Sequence, residues 1–139
     1  MYRILLAEDN PGDVFLFREA LRAHGLTCEL IVAEDGEKAL TLIEKAGTDG
    51  NRGNPDLIVL DINLPKRSGQ EVLQSVRGNA TFAKVPVVIL TSSASPDDRS
   101  KATQAGADFY LHKSSNLDDF FQIGKIIEGL ADGRATNQS

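Results

Sequence analysis

The side chains of this sequence that could do chemistry share one feature: each stands where a predicted strand ends. Glu8 and Asp9 follow an apolar stretch at the start of the chain, and Asp61 follows another. Thr91 ends a third apolar run, and Lys113 follows the last of them. The carboxyl ends of parallel strands meet at one edge of a sheet, where open α/β folds carry their chemistry. We therefore expect these side chains to lie close together.

Carboxylates that meet at one edge repel one another, and a divalent cation is the simplest way to neutralise them. Ligands that are all oxygen atoms favour Mg²⁺. We expect Asp9 and Asp61 to bind the ion directly, with the backbone carbonyl of Asn63 and water molecules completing the octahedron. Glu8 is expected to act through water.

A lysine and a hydroxyl in the same pocket fit a site that holds a phosphoryl group better than a plain metal buffer. Mg²⁺ would contact one phosphoryl oxygen, Lys113 a second, and the Thr91 hydroxyl or nearby amides the third. Asp61 would be the nucleophile and would carry the group as an acyl phosphate. The alternative is a polar edge made of helix caps and a Lys–Asp salt bridge, in which Asp61 only caps the next turn.

Five repeats of strand and helix are predicted to position these side chains. Apolar runs predict the strands, at residues 2–7, 26–32, 57–60, 87–91 and 107–111. Apolar residues at helical spacing predict the helices, which begin near residues 10, 35, 68, 95 and 117. This alternation with short connections implies an α/β fold, a doubly wound parallel sheet covered by helices on both faces.

Three of the predicted helices begin with capping signals. Asn10–Pro11 and Ser95–Pro96 each place a capping side chain before a proline that suits the first helical position. Ser68 is expected to cap the third helix together with Glu71. The polar, glycine-rich residues 47–55 are predicted to form a surface loop.

The composition indicates one ordinary globular domain. The chain has 139 residues, 41% of them hydrophobic and 25% charged. Its formal net charge of −5 argues against nucleic acid and anionic membranes as partners. The sequence has no apolar run of membrane-spanning length, no secretory signal and a single cysteine, Cys28, so we expect a cytoplasmic protein. The glycine-rich motifs of dinucleotide and nucleoside triphosphate sites are absent.

Together, these motifs resemble the receiver domain of two-component response regulators. They are the acidic pair Glu8–Asp9, Asp61 with Leu64–Pro65 and Gly69 after it, the pair Thr91–Ser92, Tyr110 and Lys113. The resemblance covers residues 1 to about 130 and implies a flavodoxin-like fold with five helices and the strand order 2-1-3-4-5. It implies a receiver domain at residues 1–131, followed by a polar tail at 132–139.

The resemblance also implies roles for the site residues. A histidine kinase would supply the phosphoryl group to Asp61, so the protein would be a phosphoacceptor and not an enzyme. Thr91 and Tyr110 would form a switch that changes the face made by the fourth helix, the fifth strand and the fifth helix. Asn63 and Ser93 flank the expected path of hydrolytic water and would set the lifetime of the acyl phosphate.

Two features of the switch face have simpler explanations that stay open. Tyr110 could be an aromatic residue of an edge strand with its hydroxyl in water. The predicted helix 117–130 is apolar on more than one side, which favours a symmetric homodimer through this face. Burial of the helix within its own domain would also explain the pattern.

A narrower resemblance points to the single-domain regulators that pair with phytochrome kinases. It is carried by residues 8–13, by the long loop before Asn54, and by residues 63–66. It implies a light-responsive histidine kinase as the phosphodonor and a homodimer. The sequence departs from the wider family at Ser114, since the residue after the lysine is usually proline there.

Since the chain leaves no room for an output domain, we expect it to act by binding another protein or as a phosphorelay intermediate. The alternative is a small phosphohydrolase with an aspartyl phosphate intermediate. Such an enzyme would need a second acid two residues after Asp61, where this chain has Asn63. A DNA-binding regulator is disfavoured by the residues and by the charge.

Overall fold

The computed structural model describes residues 2–48, 54–92, 95–113 and 122–130, and strands alternate with helices throughout these ranges. The strands are β1 (Tyr2–Ala7), β2 (Cys28–Ala33), β3 (Leu57–Leu60), β4 (Val87–Thr91) and β5 (Phe109–His112). The helices are α1 (Pro11–Ala23), α2 (Gly36–Thr48), α3 (Gly69–Gly78), α4 (Pro96–Gln104) and α5, described over residues 122–130. No helix in these ranges has the length and apolar character needed to cross a membrane.

The five strands form one parallel sheet in the order β2-β1-β3-β4-β5. This confirms the predicted doubly wound α/β fold and the flavodoxin-like strand order. The chain runs outward from β1 to β2 and then returns past β1 to β3, so the direction of winding changes between β1 and β3. In open α/β sheets, the crevice at the carboxyl end of such a switch point is the usual binding site.

The central strand β3 shows why its sequence is a continuous apolar run. Its side chains alternate between the two faces of the sheet, and all of them are buried. Ile58 and Leu60 join the apolar cluster under α2, α3 and α4, whereas Leu57 and Val59 join the cluster under α1 and α5. Helices on both faces leave no position for a polar side chain until the strand ends at Asp61.

The predicted helix caps are confirmed. The Asn10 side chain accepts a hydrogen bond from the Gly12 N–H at 2.8 Å, and the Ser95 hydroxyl accepts from Asp98 at 3.4 Å. Ser68 caps α3 by accepting from the Glu71 N–H at 3.2 Å, whereas the Glu71 side chain pairs with Arg67 and does not complete the cap.

Two predicted strands begin too early, since β2 starts at Cys28 and β5 at Phe109. In both cases the preceding residues still close a helix. The Leu26 N–H bonds back to Leu21 in α1, after Gly25 at a φ of 67°. In the same way, the Ala107 N–H bonds back to α4 after Gly106 at a φ of 105°. The third difference is that α2 continues to Thr48, one residue beyond the predicted end.

Several predictions fall on residues outside those that the structure describes. They concern the first part of the 117–130 helix, most of the 47–55 loop, Ser93, Ser114 and the 132–139 tail. In the described part of α5, Ile123 and Ile127 are buried against the sheet. Packing within the domain therefore accounts for these two apolar residues.

Candidate functional site

The sheet itself holds three of the predicted site residues in place. Glu8, Asp61 and Lys113 each come directly after a strand, and each backbone N–H adds one more hydrogen bond to the parallel ladder. The acceptors are carbonyl oxygens at the ends of neighbouring strands: Ala33 for Glu8 (3.0 Å), Ala7 for Asp61 (3.1 Å) and Thr91 for Lys113 (2.7 Å). The three side chains therefore start from backbone positions that the sheet fixes.

The Lys113 ammonium lies among three carboxylates. Its Nζ is 2.6 Å from Glu8 Oε2, 2.7 Å from Asp13 Oδ2 and 3.0 Å from Asp61 Oδ2. The side chains of Lys113, Glu8 and Asp61 are each less than 10% exposed, and that of Asp13 is 19% exposed. An ammonium has three donors, so all of its hydrogen-bonding capacity is used here.

For both Glu8 and Lys113, burial shifts the pKa in one direction and the hydrogen-bonded partners of opposite charge shift it in the other. Burial raises the pKa of Glu8 to about 7, although the hydrogen bond from Lys113 opposes the shift and the nearby Asp61 charge adds to it. Burial alone would lower the pKa of Lys113, but its hydrogen bonds to Asp13, Glu8 and Asp61 raise it well above the ordinary value. Lys113 is therefore charged at neutral pH, where Glu8 is partly protonated.

One carboxylate oxygen from each of Glu8, Asp9 and Asp61 lies within 4.8 Å of the others. Glu8 and Asp61 are buried and Asp9 is exposed, so the group is open to solvent on one side. The backbone N–H of Asn63 donates to Asp61 Oδ1 at 3.1 Å. Three clustered carboxylates form the hard, oxygen-only donor set that suits Mg²⁺, so the residues present fit that ion.

The loop that follows Asp61 is held tightly against its surroundings. A Cβ atom on Gly69 would collide with the Asp61 carbonyl oxygen, and one on Gly36 would collide with that of Arg67. Between these contacts Lys66 takes a φ of 68°, in the left-handed region that favours glycine. This strained residue therefore lies within the loop that carries the predicted nucleophile.

Asp35 links this loop to the start of α2. Its carboxylate is buried, accepts a hydrogen bond from the Lys38 N–H at 2.7 Å and lies 3.7 Å from the Lys66 ammonium. The hydrogen bond from Lys38 holds the pKa of Asp35 below its usual range. The Gly36 N–H also donates to the carbonyl of Pro65 at 3.1 Å.

The two predicted switch residues lie in different surroundings. Thr91 is fully buried at the carboxyl end of β4, beside the backbone of Lys113. Tyr110 is half-buried on β5, packed against the cluster under α4, with the Arg99 guanidinium 5.8 Å from its ring centroid. The tyrosine therefore has a face toward solvent as well as an apolar contact.

The structure brings together Glu8, Asp9, Asp61 and Lys113, with Asn63 bonded to the same carboxylate. Asp13 was missed because an acid in the first turn of a helix is normally explained by the helix dipole. The sequence did contain a signal that Asp13 belongs to the site. Helix α1 begins four residues after β1 ends, so its first turn must lie at the same edge of the sheet.

The family model, a curated relative and two solved structures all indicate the same family of proteins. The family model described as the response regulator receiver domain matches residues 4–124. Response regulator Rcp1 of Synechocystis sp. is 39% identical over 125 residues, which cover 90% of this chain and 85% of that protein. Two solved structures are 38% identical with a TM-score of 0.81: the phosphorylated cyanobacterial phytochrome response regulator RcpA, covering 91% of both chains, and the Mn²⁺-bound form of Rcp1, covering 92% of both.

Proposed function

The chain belongs to the response regulator receiver domain family of two-component systems, and on this premise we propose that it accepts a phosphoryl group from a histidine kinase on Asp61. The observation that carries the proposal is the contact of a buried Asp61 with the Lys113 ammonium at 3.0 Å, beside Glu8 and Asp9. Such a site offers a nucleophile, a cation for the phosphoryl oxygens and a place for a metal ion.

In the proposed reaction an Asp61 carboxylate oxygen attacks the phosphorus atom of a phosphohistidine. The new P–O bond forms as the P–N bond breaks, and the imidazole nitrogen keeps the bonding electron pair and takes up a proton from solvent. Lys113 is close enough to stabilise the charge of the transferred group, and the buried Thr91 hydroxyl is the proposed second donor. Because the phosphoryl group stays on the protein until hydrolysis or transfer to a further protein, we class the chain as a phosphoacceptor and not as an enzyme.

The proposed cofactor is Mg²⁺. Asp9 and Asp61 would hold it directly, the Asn63 carbonyl and water would complete its shell, and Glu8 would act through water; the Mn²⁺-bound form of Rcp1 is a similar case. The ion would supply positive charge to the phosphoryl oxygens. Ser93 and Asn63 remain the proposed determinants of the acyl phosphate lifetime, and Ser93 lies outside the described residues.

The similarity to Rcp1 and RcpA supports a finer proposal about the partners. The phosphodonor would be a phytochrome-type sensor kinase in the cytoplasm, and the regulator would act on another protein or within a phosphorelay. A homodimer would form through α4, β5 and α5, without nucleic acid or membrane. The exposed side of Tyr110 lies on this face.

The proposed signal passes from Thr91 to Tyr110. Phosphorylation would draw the Thr91 hydroxyl toward the new acceptor oxygens, and Tyr110 would turn inward to fill the space. We expect beryllofluoride, an acyl phosphate mimic, to change the dimer affinity of the wild type. Tyr110→Ala is expected to leave the rate of phosphorylation near normal and to abolish that change. Analytical ultracentrifugation measures this change, and equal loss of phosphorylation would contradict the switch role.

The test of the function is intact-protein mass spectrometry after incubation with acetyl phosphate, with and without Mg²⁺. The wild type is expected to gain one phosphoryl group only with Mg²⁺, and Asp61→Asn is expected to gain none. Asp56→Asn is the matched control, because Asp56 precedes β3 and Asp61 follows it. Of these two aspartates, only Asp61 contacts Lys113. A folded wild type without any gain would contradict the proposal and favour a protein that binds its partner constitutively.

A further inference from the structure

The carboxylate of Asp13 contacts Lys113 but has no part in the proposed transfer. Its Oδ2 lies 2.7 Å from the Lys113 Nζ. We propose that Asp13 is a positioning residue, which keeps the Lys113 ammonium directed at Asp61 when the metal site is occupied. The inference rests on the proposed function and adds a residue to its machinery.

The geometry of an ammonium explains why a second anchor matters. Its three N–H bonds point in fixed relative directions, so two hydrogen-bonded anchors determine where the third bond points. The contacts of Lys113 with Glu8 and Asp13, at 2.6 and 2.7 Å, are shorter than its contact with Asp61, at 3.0 Å. With one anchor alone, the ammonium could rotate about that bond on its flexible stem.

Glu8 cannot fill this role alone, because it belongs to two groups at once. It contacts Lys113, and its carboxylate is also one of the three that could hold a cation. A cation that drew on the Glu8 carboxylate would weaken its hold on Lys113. Asp13 is not among the three clustered carboxylates, so its hydrogen bond to Lys113 does not compete with the metal.

The start of α1 fixes both anchors relative to each other. The Asn10 N–H donates to Glu8 Oε1 at 3.1 Å, and the Asn10 side chain accepts from the Gly12 N–H at 2.8 Å. One capping residue thus holds Glu8 through its backbone and begins the helical turn that carries Asp13. Local structure fixes the two anchors, whereas Lys113 lies after β5, about 100 residues later in the sequence.

The experiment compares rates of phosphorylation by acetyl phosphate at saturating Mg²⁺, followed by intact-protein mass spectrometry. Asp13→Ala is expected to slow the reaction about tenfold, because the lysine loses its direction. Asp13→Asn keeps an oxygen acceptor in place and is expected to stay within about threefold of the wild type. The Mg²⁺ dissociation constant, from calorimetry, is expected to change less than about twofold in both variants, since Asp13 is outside the metal group.

Asp98→Ala is the matched control, because Asp98 holds the corresponding position of α4, three residues after the cap and two after a proline. It loses the same interaction with a helix dipole, and we expect a normal rate. A second readout is the ammonium signal of Lys113 in protein labelled with ¹⁵N-lysine. This signal is expected to be protected from exchange in the wild type and in Asp13→Asn, and lost in Asp13→Ala.

The outcomes separate the inference from the function on which it rests. A wild type that gains no phosphoryl group overturns both. A normal wild type beside an equally fast Asp13→Ala overturns the inference alone. Equal slowing in Asp13→Ala and Asp13→Asn, or a matching loss of Mg²⁺ affinity, also overturns it, because the effect would then come from charge or from the metal.

Discussion

At the amino-terminal edge of the sheet carboxylates are matched with arginines and with backbone N–H groups, whereas at the carboxyl-terminal edge three carboxylates share one lysine. At the first edge, Asp56 Oδ2 accepts from the Arg3 N–H at 2.8 Å, and the Arg3 carbonyl accepts from the Asp56 N–H at 2.7 Å. This reciprocal pair ties the start of β3 to β1. The Asp56 carboxylate is thereby used as a hydrogen-bond acceptor within the sheet.

Asp108 plays the corresponding role for the other half of the amino-terminal edge. Its Oδ2 accepts from the Val87 N–H at 2.8 Å, where β4 begins, and from Arg77 Nη2 at 2.9 Å. The Arg77 guanidinium also donates to the carbonyl oxygens of Phe82, Ala83, Val85 and Gly106. One side chain therefore joins α3, the segment before β4 and the turn before β5.

The carboxyl-terminal edge carries more negative than positive charge, since three carboxylates surround one ammonium. Lys113 balances one of the carboxylates of Glu8, Asp13 and Asp61, and burial has already raised the pKa of Glu8 to about 7. Similar residue types thus stabilise one edge and give the other the unpaired negative charge on which the proposed cation and phosphoryl sites depend. The difference predicts opposite responses to mutation at the two edges.

The largest expected effect is at the amino-terminal edge. Arg77→Ala should lower the free energy of unfolding by about 3 to 4 kcal/mol, because it removes the donor to four carbonyl oxygens and the cation paired with Asp108. Arg67→Ala is the control, since the Arg67 side chain is 58% exposed and pairs only with Glu71 among the ion pairs of the described residues. Urea unfolding measures both, and a loss below about 1 kcal/mol for Arg77→Ala would contradict its role as the central tie of this edge.

The next effect should appear at the carboxyl-terminal edge as a dependence on pH. The pKa of Glu8 rises from 4.5 in the unfolded chain to about 7 in the folded protein. Between these values the folded protein holds a proton that the unfolded chain releases, so stability falls as the pH rises through this interval. Without metal, we expect the wild type to lose about 2 kcal/mol across it and little more above pH 7.

Glu8→Gln should remove most of this decline, and urea unfolding at several pH values in the presence of a chelator would show it. Glu71→Gln is the matched control, because Glu71 is an exposed acid on α3 whose side chain pairs with Arg67 and not with Lys113. Parallel pH profiles for the wild type and Glu8→Gln would mean that Glu8 ionises normally. The two edges would then differ less in their electrostatics than we infer.

At the carboxyl-terminal edge, the positions of the site residues could be predicted from the sequence. The run Leu57 to Leu60 predicts a strand buried on both faces, and the polar residue that follows it must then lie at the edge. The same reasoning applies to Glu8 and Lys113, because each is the first residue beyond a strand. Strand periodicity and the rule that parallel strands share an edge are sufficient for these positions.

The amino-terminal edge could not be predicted in this way. Arg77 stands in the last turn of α3, where a basic residue normally faces solvent and favours the helix dipole. Its carbonyl partners are spread over residues 82–106, and their convergence depends on how α3 packs against α4 and β5. Asp13 was missed for a related reason, since its contact with Lys113 joins residues 100 positions apart in sequence.

The smallest expected effect compares two residues with nearly the same backbone. Gly25, in the turn before β2, has a φ of 67°, and Lys66, in the loop after Asp61, has a φ of 68°. Gly25→Ala should lower the free energy of unfolding by about 1 kcal/mol, because open space surrounds the new methyl group and only the backbone is strained. Lys66→Gly should raise it by about 0.5 kcal/mol, since relief of strain exceeds the weak contact of an exposed lysine with Asp35.

Thermal unfolding of both variants, together with the rate of phosphorylation of Lys66→Gly, sharpens the contrast between the edges. A more stable Lys66→Gly protein that is phosphorylated more slowly would show that the strain at Lys66 helps to hold the loop of Asp61. If Lys66→Gly is instead destabilised, its contact with Asp35 outweighs the strain, and the carboxyl-terminal edge is tied by ion pairs much as the amino-terminal edge is. Whether Lys66→Gly raises or lowers the free energy of unfolding therefore decides whether the carboxyl-terminal edge stores strain as well as charge.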